Sequence, residues 1–324
     1  MVKLKIGKLL VNRDGFIGGQ LVAVRAFLPL DIEGGRHKNI GGMPFASCVC
    51  WTTMAMISYN SNMSSWRHAV KDIKEGTFGT FVWFHLAWQD IRLRYRRSII
   101  GPFWITLSMG LFVCAMGPLY GKLLHQEIGP YFQYIVVSFI IWSFLASQIN
   151  ESCTAFIGAE GFIKQIKMPL SIHLHRVMAR SVIMLAHNLL VVIIVLFFFP
   201  PKQFVTLLLA PVGFALVLIN LAWIGFVLSI LCARFRDIPQ AVTSVMQLVF
   251  FLTPIVWKRE LLGNHAIVAD LNILYHFMEI IRAPLLGAYP TRLSYAFVIV
   301  SALIGWTVAL LLFRRFRSRI VYWV

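Results

Sequence analysis

The stretch FWITLSMGLFVCAMGPLYG, Phe103–Gly121, decides the fold. It is 19 residues with no charged side chain, and a helix rising 1.5 Å per residue needs about 20 apolar residues to cross a hydrocarbon core of roughly 30 Å. Pro102 stands before it, where a missing N–H costs a first helical turn nothing. Working outward, comparable apolar runs fall near Tyr131–Ile149, Ser181–Phe199, Thr206–Leu231, Gln240–Trp257 and Ser294–Phe313. Six spans in an all-α integral membrane protein are therefore expected. Composition agrees: of 324 residues 59% are hydrophobic and 13% charged, with a mean hydropathy of +0.75. A soluble domain carries about 25% charged residues, so a soluble enzyme is excluded.

The chain holds 30 Lys+Arg against 13 Asp+Glu, a net charge of +17. In a membrane protein such an excess marks cytoplasmic loops and the anionic lipid surface, and nucleic acid is not an expected partner. Arg92, Arg94, Arg96 and Arg97 precede the first span, Lys164, Lys167, Arg176 and Arg180 separate the second from the third, Arg234 and Arg236 follow the fourth, and Arg314, Arg315, Arg317 and Arg319 follow the sixth. The opposite side holds fewer: Lys122, Lys202, Lys258, Arg259, Arg282 and Arg292. Positive-inside places both termini in the cytoplasm, as an even span count also requires.

Residues 1–62 are Gly-rich without a helical stripe, and are either a disordered extension or untranslated upstream sequence; Met63, before SSWRHAVKDIKEG, is the natural start on the second reading. The membrane domain is then 63–324. Cys48 and Cys50 have no second Cys/His pair beside them, and no metal site is expected.

Ahead of the first span lies FVWFHLAWQDIRLRYRR, 81–97. At 100° per residue Phe81, Phe84, Trp88, Ile91 and Tyr95 share one stripe, and His85, Gln89, Arg92 and Arg96 form a neighbouring polar one. This is the pattern of an amphipathic helix lying in the membrane interface, although a short linker with chance periodicity has the same spacing. Segment 151–180 includes FIKQIKMPL, which on composition alone is a solvated loop or a short helix presented to a partner. NILYHFMEIIRAPLLG, 272–287, is too short and too charged to span, and reads as a re-entrant or interfacial hairpin broken at Pro284 and Gly287. Within it Glu279 and Arg282 are spaced for a local ion pair.

Intrinsic chemistry is sparse. The only Gly-Lys dipeptides, Gly7-Lys8 and Gly121-Lys122, are followed by Leu, so no Walker A phosphate loop is encoded. HFME at 276–279 continues with Ile280 where a zinc motif needs His. His187, Asn188 and Asn220 lie inside spans, where hydrogen bonding between neighbouring helices accounts for them. A membrane-bound glycan transferase, a distant alternative, lacks a converging pair of carboxylates.

Several ordered stretches go further: LAWQDIRLRYRRSIIGPFW (86–104), FIKQIKMPLSI (162–172), ARFRDIPQAV (233–242), FFLTPIVW (250–257) and YHFMEIIRAPLLG (275–287). Together they resemble the type-2 ABC transporter permeases that export bacterial polysaccharides, with the O-antigen and lipopolysaccharide exporters nearest and the capsule, teichoic acid and nodulation-factor exporters as alternatives. The resemblance implies a type-2 transmembrane domain over about 84–317, not an enzyme itself, in the bacterial inner membrane. It further implies a homodimer with two separate ABC ATPase subunits, which hold the ATP and Mg, and a lipid-linked glycan as substrate. The 81–97 helix would be a gate at the cytoplasmic lipid boundary, with Arg92, Arg94, Arg96 and Arg97 meeting the substrate's diphosphate headgroup. Glu160, Lys164, Lys167, Met168 and Pro169 would couple to the ATPase. The hairpin, through His276, Glu279, Arg282 and Pro284, would form the outer gate. Phe103, Trp104, Tyr131, Tyr134 and Trp142 could line a sugar path, or serve as interfacial anchors.

Overall fold

The computed structural model describes residues 66–101, 103–201, 203–260, 263 and 267–324. The 1–62 extension, Met63, Cys48, Cys50, Pro102 and Lys202 fall outside these residues. In chain order the helices are α1 (66–78), α2 (Thr80–Arg94), α3 (Phe103–Leu123), α4 (Ile128–Cys153), α5 (Glu160–Gln165), α6 (Ser171–Phe198), α7 (Ala210–Arg234, entered through a 3-10 turn at Phe204–Leu209), α8 (Ile238–Leu252), α9 (Ile267–Asp270), α10 (Ile273–Leu285) and α11 (Arg292–Trp323). Strands are absent among the described residues.

Five helical stretches are long and apolar enough to cross a membrane: α3, α4, α6, the Phe204–Arg234 stretch and α11. The expected sixth span, Gln240–Trp257, is cut short. α8 has 15 residues, about 22 Å at 1.5 Å each, well under the hydrocarbon thickness. It stops at Thr253, whose extended backbone (φ −92°, ψ 134°) is the conformation a following proline imposes, and Pro254 brings no N–H to continue the ladder.

α4 is the centre of the bundle. It is buried along most of its length, 78% of its most apolar 18 residues against 11% for those of α3 at the periphery. Ile135, Ile140 and Leu145 of α4 join Val217 and Leu221 of α7 and Phe277 and Ile280 of α10 in one core. A second core at the other end gathers Ala69 of α1, Phe156, Leu174, Phe226 and Phe313. Lipid tails are as apolar as these side chains, so close approach and hydrogen bonds must hold the helices together. Gly213 of α7 makes one such approach: a Cβ there would lie 2.3 Å from the Ile280 carbonyl oxygen. That carbonyl is the one whose helical partner is lost at Pro284, four residues on. Asn220 supplies the hydrogen bonds, donating to the Val298 carbonyl at 3.1 Å and accepting from Ser301 Oγ at 2.9 Å and Trp223 Nε1 at 3.0 Å. His187 instead bonds within its own helix, to the Ile183 carbonyl at 2.8 Å, and Asn188 leaves its buried Oδ1 without a partner.

The element before the first span differs from its expected bounds. α2 ends at Arg94, and Tyr95, Arg96 and Arg97 form a turn. Its aromatic stripe is narrower than the spacing predicts. Phe81, Phe84 and Trp88 are exposed, but Ile91 is buried with Ala87 on the side facing α6. α2 thus has three faces: one packed on the bundle, one aromatic and open, one polar. α1 had no counterpart in the sequence reading.

Candidate functional site

At the basic end of the bundle, Asp90 points from the packed face of α2 at two arginines of α6. It accepts from Arg176 through Nε at 2.7 Å and through Nη2, and from Arg180 Nη1 at 3.0 Å. Arg180 also donates to Glu151 Oε2 of α4 through Nε at 2.9 Å and Nη2 at 2.8 Å, and Arg94 reaches Glu151 Oε1 at 3.5 Å. The Arg176, Arg180 and Asp90 side chains are about 15% exposed. Such partly desolvated, bidentate pairs hold three helices in register, and arginine's planar fork is suited to the task. Within this network the sequence assigns a site role to Arg94 alone; Arg176 and Arg180 enter it only as part of the basic excess between the second and third spans. A signal existed: Arg176 and Arg180 are four apart on one helical face, in a chain with only 13 acidic residues to neutralise 30 basic ones.

The four arginines expected to meet a headgroup therefore divide. Arg94 is committed to Glu151. Arg92, Arg96 and Arg97 are exposed, and their side chains have no hydrogen bond or ion pair among the described residues.

The segment expected to couple to a partner forms the short helix α5, in which no residue is buried. Lys164 Nζ donates to Glu160 Oε1 at 2.6 Å across one exposed turn, and this bond and charge hold the Glu160 carboxyl below its usual range. Lys167 is exposed, and Met168 and Pro169 are half-buried in the extended residues that lead into α6. Phe162 of α5 lies under the Arg176 guanidinium, 5.3 Å from ring centroid to Cζ, so α5 touches the ion network directly.

The aromatics separate as well. Phe103 and Trp104, at the start of α3, are more than half exposed. Tyr131, Tyr134 and Trp142 are packed inside the subunit. The Tyr131 hydroxyl donates to the Val256 carbonyl at 2.7 Å, and the Tyr134 hydroxyl lies 2.9 Å from the Pro254 and Trp257 carbonyls, so both rings fasten the turn after α8. Trp142 packs edge-on to Phe250.

At the opposite end, α10 is held by its own predicted residues. Arg282, 4% exposed, bonds Glu279 at 2.5 Å, Tyr134 at 2.9 Å, Ser138 at 3.2 Å and the Pro254 carbonyl at 2.6 Å, with its guanidinium stacked 4.7 Å from the Tyr134 ring. The local Glu279–Arg282 pair is thus one arm of a buried junction between α4, the post-α8 turn and α10. His276 lies between Ser294 Oγ at 3.0 Å and the Asp270 carbonyl at 2.8 Å, stacked on Phe297. Pro284 does not break the helix as expected. It sits in the last turn, its carbonyl accepting from Thr206 Oγ1 at 2.9 Å, and the chain turns at Gly287 with φ +80°. Beside this junction Lys258, Arg259, Glu260 and Tyr275 line a cleft of about 200 Å³. The hydrogen bond and charge of Arg259 hold the Asp270 carboxyl below its ordinary range.

Comparison with known proteins covers most of this geometry. Residues 82–286, from α2 through α10, match the family described as ABC-2 type transporter. An O-antigen export system permease protein RfbA of Klebsiella pneumoniae is 24% identical over 179 residues, covering 54% of this chain and 68% of the relative. A second RfbA from that organism is 25% identical over 175 residues, with the same coverage. The protein of that name from Myxococcus xanthus is 20% identical over 175 residues, covering 53% of this chain and 66% of its own. A match spanning more than half the sequence, on a bundle with five membrane-length helices, has one consequence: the chain belongs to the ABC-2 type transporter family.

Proposed function

We propose that this chain is the permease subunit of an ATP-driven exporter that moves lipid-linked polysaccharide of the O-antigen type across the bacterial inner membrane. The observation that carries the reading is the family match over 82–286 together with relatives named as O-antigen export permeases. The chain works as a homodimer with two copies of a separate ABC ATPase, which bind the ATP and Mg. Both termini are cytoplasmic. The sixth passage through the bilayer is completed by α8 with the turn at 253–257, and the α9–α10 hairpin closes the pore on the outer side.

In this mechanism the basic end of the bundle faces the cytoplasm. A diphosphate is far too costly in hydrocarbon to enter unaided. Arg92, Arg96 and Arg97 meet it as bidentate donors, while Arg94 keeps α2 in place through Glu151. Phe103 and Trp104, next along the chain and open, offer ring faces to the first sugars. The partner ATPase presses on α5 at Glu160, Lys164 and Lys167, and the load passes through Phe162 and Arg176 to Asp90 and hence to α2. At the far end, release of the Arg282 junction frees α10.

The test is reconstitution. The tagged full chain is purified from native membranes, the co-purifying Walker-motif ATPase is identified, and both are placed in liposomes containing an undecaprenyl-diphosphate-linked glycan. ATP-dependent appearance of the glycan in the opposite leaflet is expected. Unaided flipping or ATP hydrolysis by this chain alone would overturn the proposal.

A further inference from the structure

α6 begins without a cap of its own. Leu170 provides no side-chain oxygen, yet the first N–H groups of the helix are not left open. They are taken by Asp72, on α1 almost a hundred residues earlier: Oδ2 accepts from Leu170 N–H at 3.2 Å and Oδ1 from Ser171 N–H at 3.1 Å. The Ser171 hydroxyl lies 3.0 Å from the same Oδ1 and donates to the Asp72 carbonyl at 2.7 Å. Arg317, near the end of α11, closes the set with Nε and Nη2 each 2.7 Å from Oδ2. The Asp72 side chain is completely buried. The fit is tight as well, since a Cβ on Gly76 of α1 would lie 1.9 Å from Ser171 Oγ.

Asp72 is thus an N-cap supplied from outside the helix, a carboxylate at the positive end of α6 whose charge is balanced by α11. Its position relative to α5 matters most. Residues 167–169 joining α5 to α6 are non-helical, Ile166 is extended (φ −126°, ψ 128°), and Pro169 has no N–H to offer. Such a connection is a hinge unless the residues beyond it are fixed. Leu170 and Ser171, the first beyond it, are those Asp72 holds.

We infer that Asp72 is a positioning residue that turns this hinge into a lever: by capping α6 and tying the cap to Arg317, it makes a load on segment 160–169 move α1, α6 and α11 together. The role rests on the proposed coupling of α5 to an ATPase, but the rigidity it requires is a property of this chain alone.

The experiment separates the two. The full chain, with its native cysteines replaced by Ala, carries nitroxide labels through Lys164→Cys and Tyr322→Cys in lipid nanodiscs, and the distance distribution is read by pulsed EPR. A narrow distribution is expected, widening at least twofold in Asp72→Asn, which keeps the side chain's size. Should that variant fail to reach the membrane, Arg317→Gln removes the α11 tie and leaves the cap. The 164–322 distribution then widens while a Lys164→Cys/Leu190→Cys pair stays narrow. In the unlabelled complex with its ATPase, Asp72→Asn lowers glycan moved per ATP hydrolysed at least tenfold. An unchanged width in both variants overturns the inference, as does an unchanged transport ratio. A wild-type complex that moves no glycan overturns the exporter reading instead, and the width comparison still stands.

Discussion

Replacing Asp90 with Asn should unfasten α2 from the bundle. Asp90 accepts three hydrogen bonds from two guanidinium groups, and about 85% of the three side chains is shielded from water. Glu151 still neutralises Arg180 in the variant, so Arg176 is the charge left without a carboxylate. Removing one partner of a fully buried pair costs about 3–5 kcal/mol. Residual exposure and the acceptor oxygen that Asn retains place this case near the bottom of that range, about 3 kcal/mol. For a chain of 324 residues that corresponds to a fall in melting temperature of about 4–6 °C, measurable by intrinsic tryptophan fluorescence in detergent. The control is Lys164→Gln, which breaks a pair whose two side chains are each 49% exposed; exposed pairs contribute about 0–1 kcal/mol, so the shift should be under about 2 °C. A double-mutant cycle of Asp90→Asn with Arg176→Gln should return a coupling energy of about 2 kcal/mol. Melting of Asp90→Asn within about 2 °C of wild type, or strict additivity in the cycle, would refute the assignment of the network as the fastening of α2.

Arg92→Gln/Arg96→Gln/Arg97→Gln should leave the melting temperature unchanged, because these side chains have no partners among the described residues, yet abolish glycan export; normal export would remove them as the headgroup contact. Arg282→Met leaves Glu279 without its counter-ion and removes the bond that joins the Pro254 carbonyl to α10, so a loss of about 3 kcal/mol is expected by thermal melting, with increased protease cutting near residue 287. Gly213→Val drives side-chain atoms into the Ile280 carbonyl and should prevent stable insertion, whereas Gly161→Val, with open space around it, should be silent in the same expression assay. Because Arg259 holds the folded-state pKa of Asp270 down, this pair's contribution is complete above the ordinary aspartate value of about 4 and is lost as pH falls through the depressed one. Arg259→Gln should therefore flatten the acid limb of a melting-temperature profile, and an unchanged limb would contradict the pairing.

The spans were legible because hydrocarbon imposes a length and a composition that few other constraints can mimic. Five of the six expected apolar runs fall on the five membrane-length helical stretches, the first opening at Phe103, although α6 begins about ten residues before the expected Ser181 and α11 continues about ten residues past Phe313. What failed was local backbone chemistry. Pro254 stops α8 before it reaches membrane length, and Pro284 is tolerated inside α10 because the carbonyl it leaves unbonded lies against Gly213. The first is decided by the residue next to the proline, the second by a partner distant in sequence. The same limit applied at the candidate site. Helical spacing identified Arg92 and Arg96 as an exposed row and Glu279 with Arg282 as a pair, both of which are local relations. It had no access to Asp90 with Arg176, or to Asp72 with Ser171, since those pairs join helices whose relative rotation only packing determines. The stripe of α2 misplaced Ile91 for that reason: periodicity gives a helix its faces but not which of them turns inward.

The bond between Asp72 and Arg317 spans 245 positions of chain. A membrane protein is threaded into the bilayer as it is synthesised, so α1 and α6 are already present when residue 317 is still unmade. Until then the Asp72 carboxylate sits in its pocket without its balancing cation. The start of α6 therefore reaches its final state only when synthesis is almost over, and a ribosome that stalls in α11 releases a subunit whose membrane helices are inserted but whose basic end is still unlatched. Such a product carries an uncompensated Asp72 carboxylate at an end of the bundle that α11 has not yet closed.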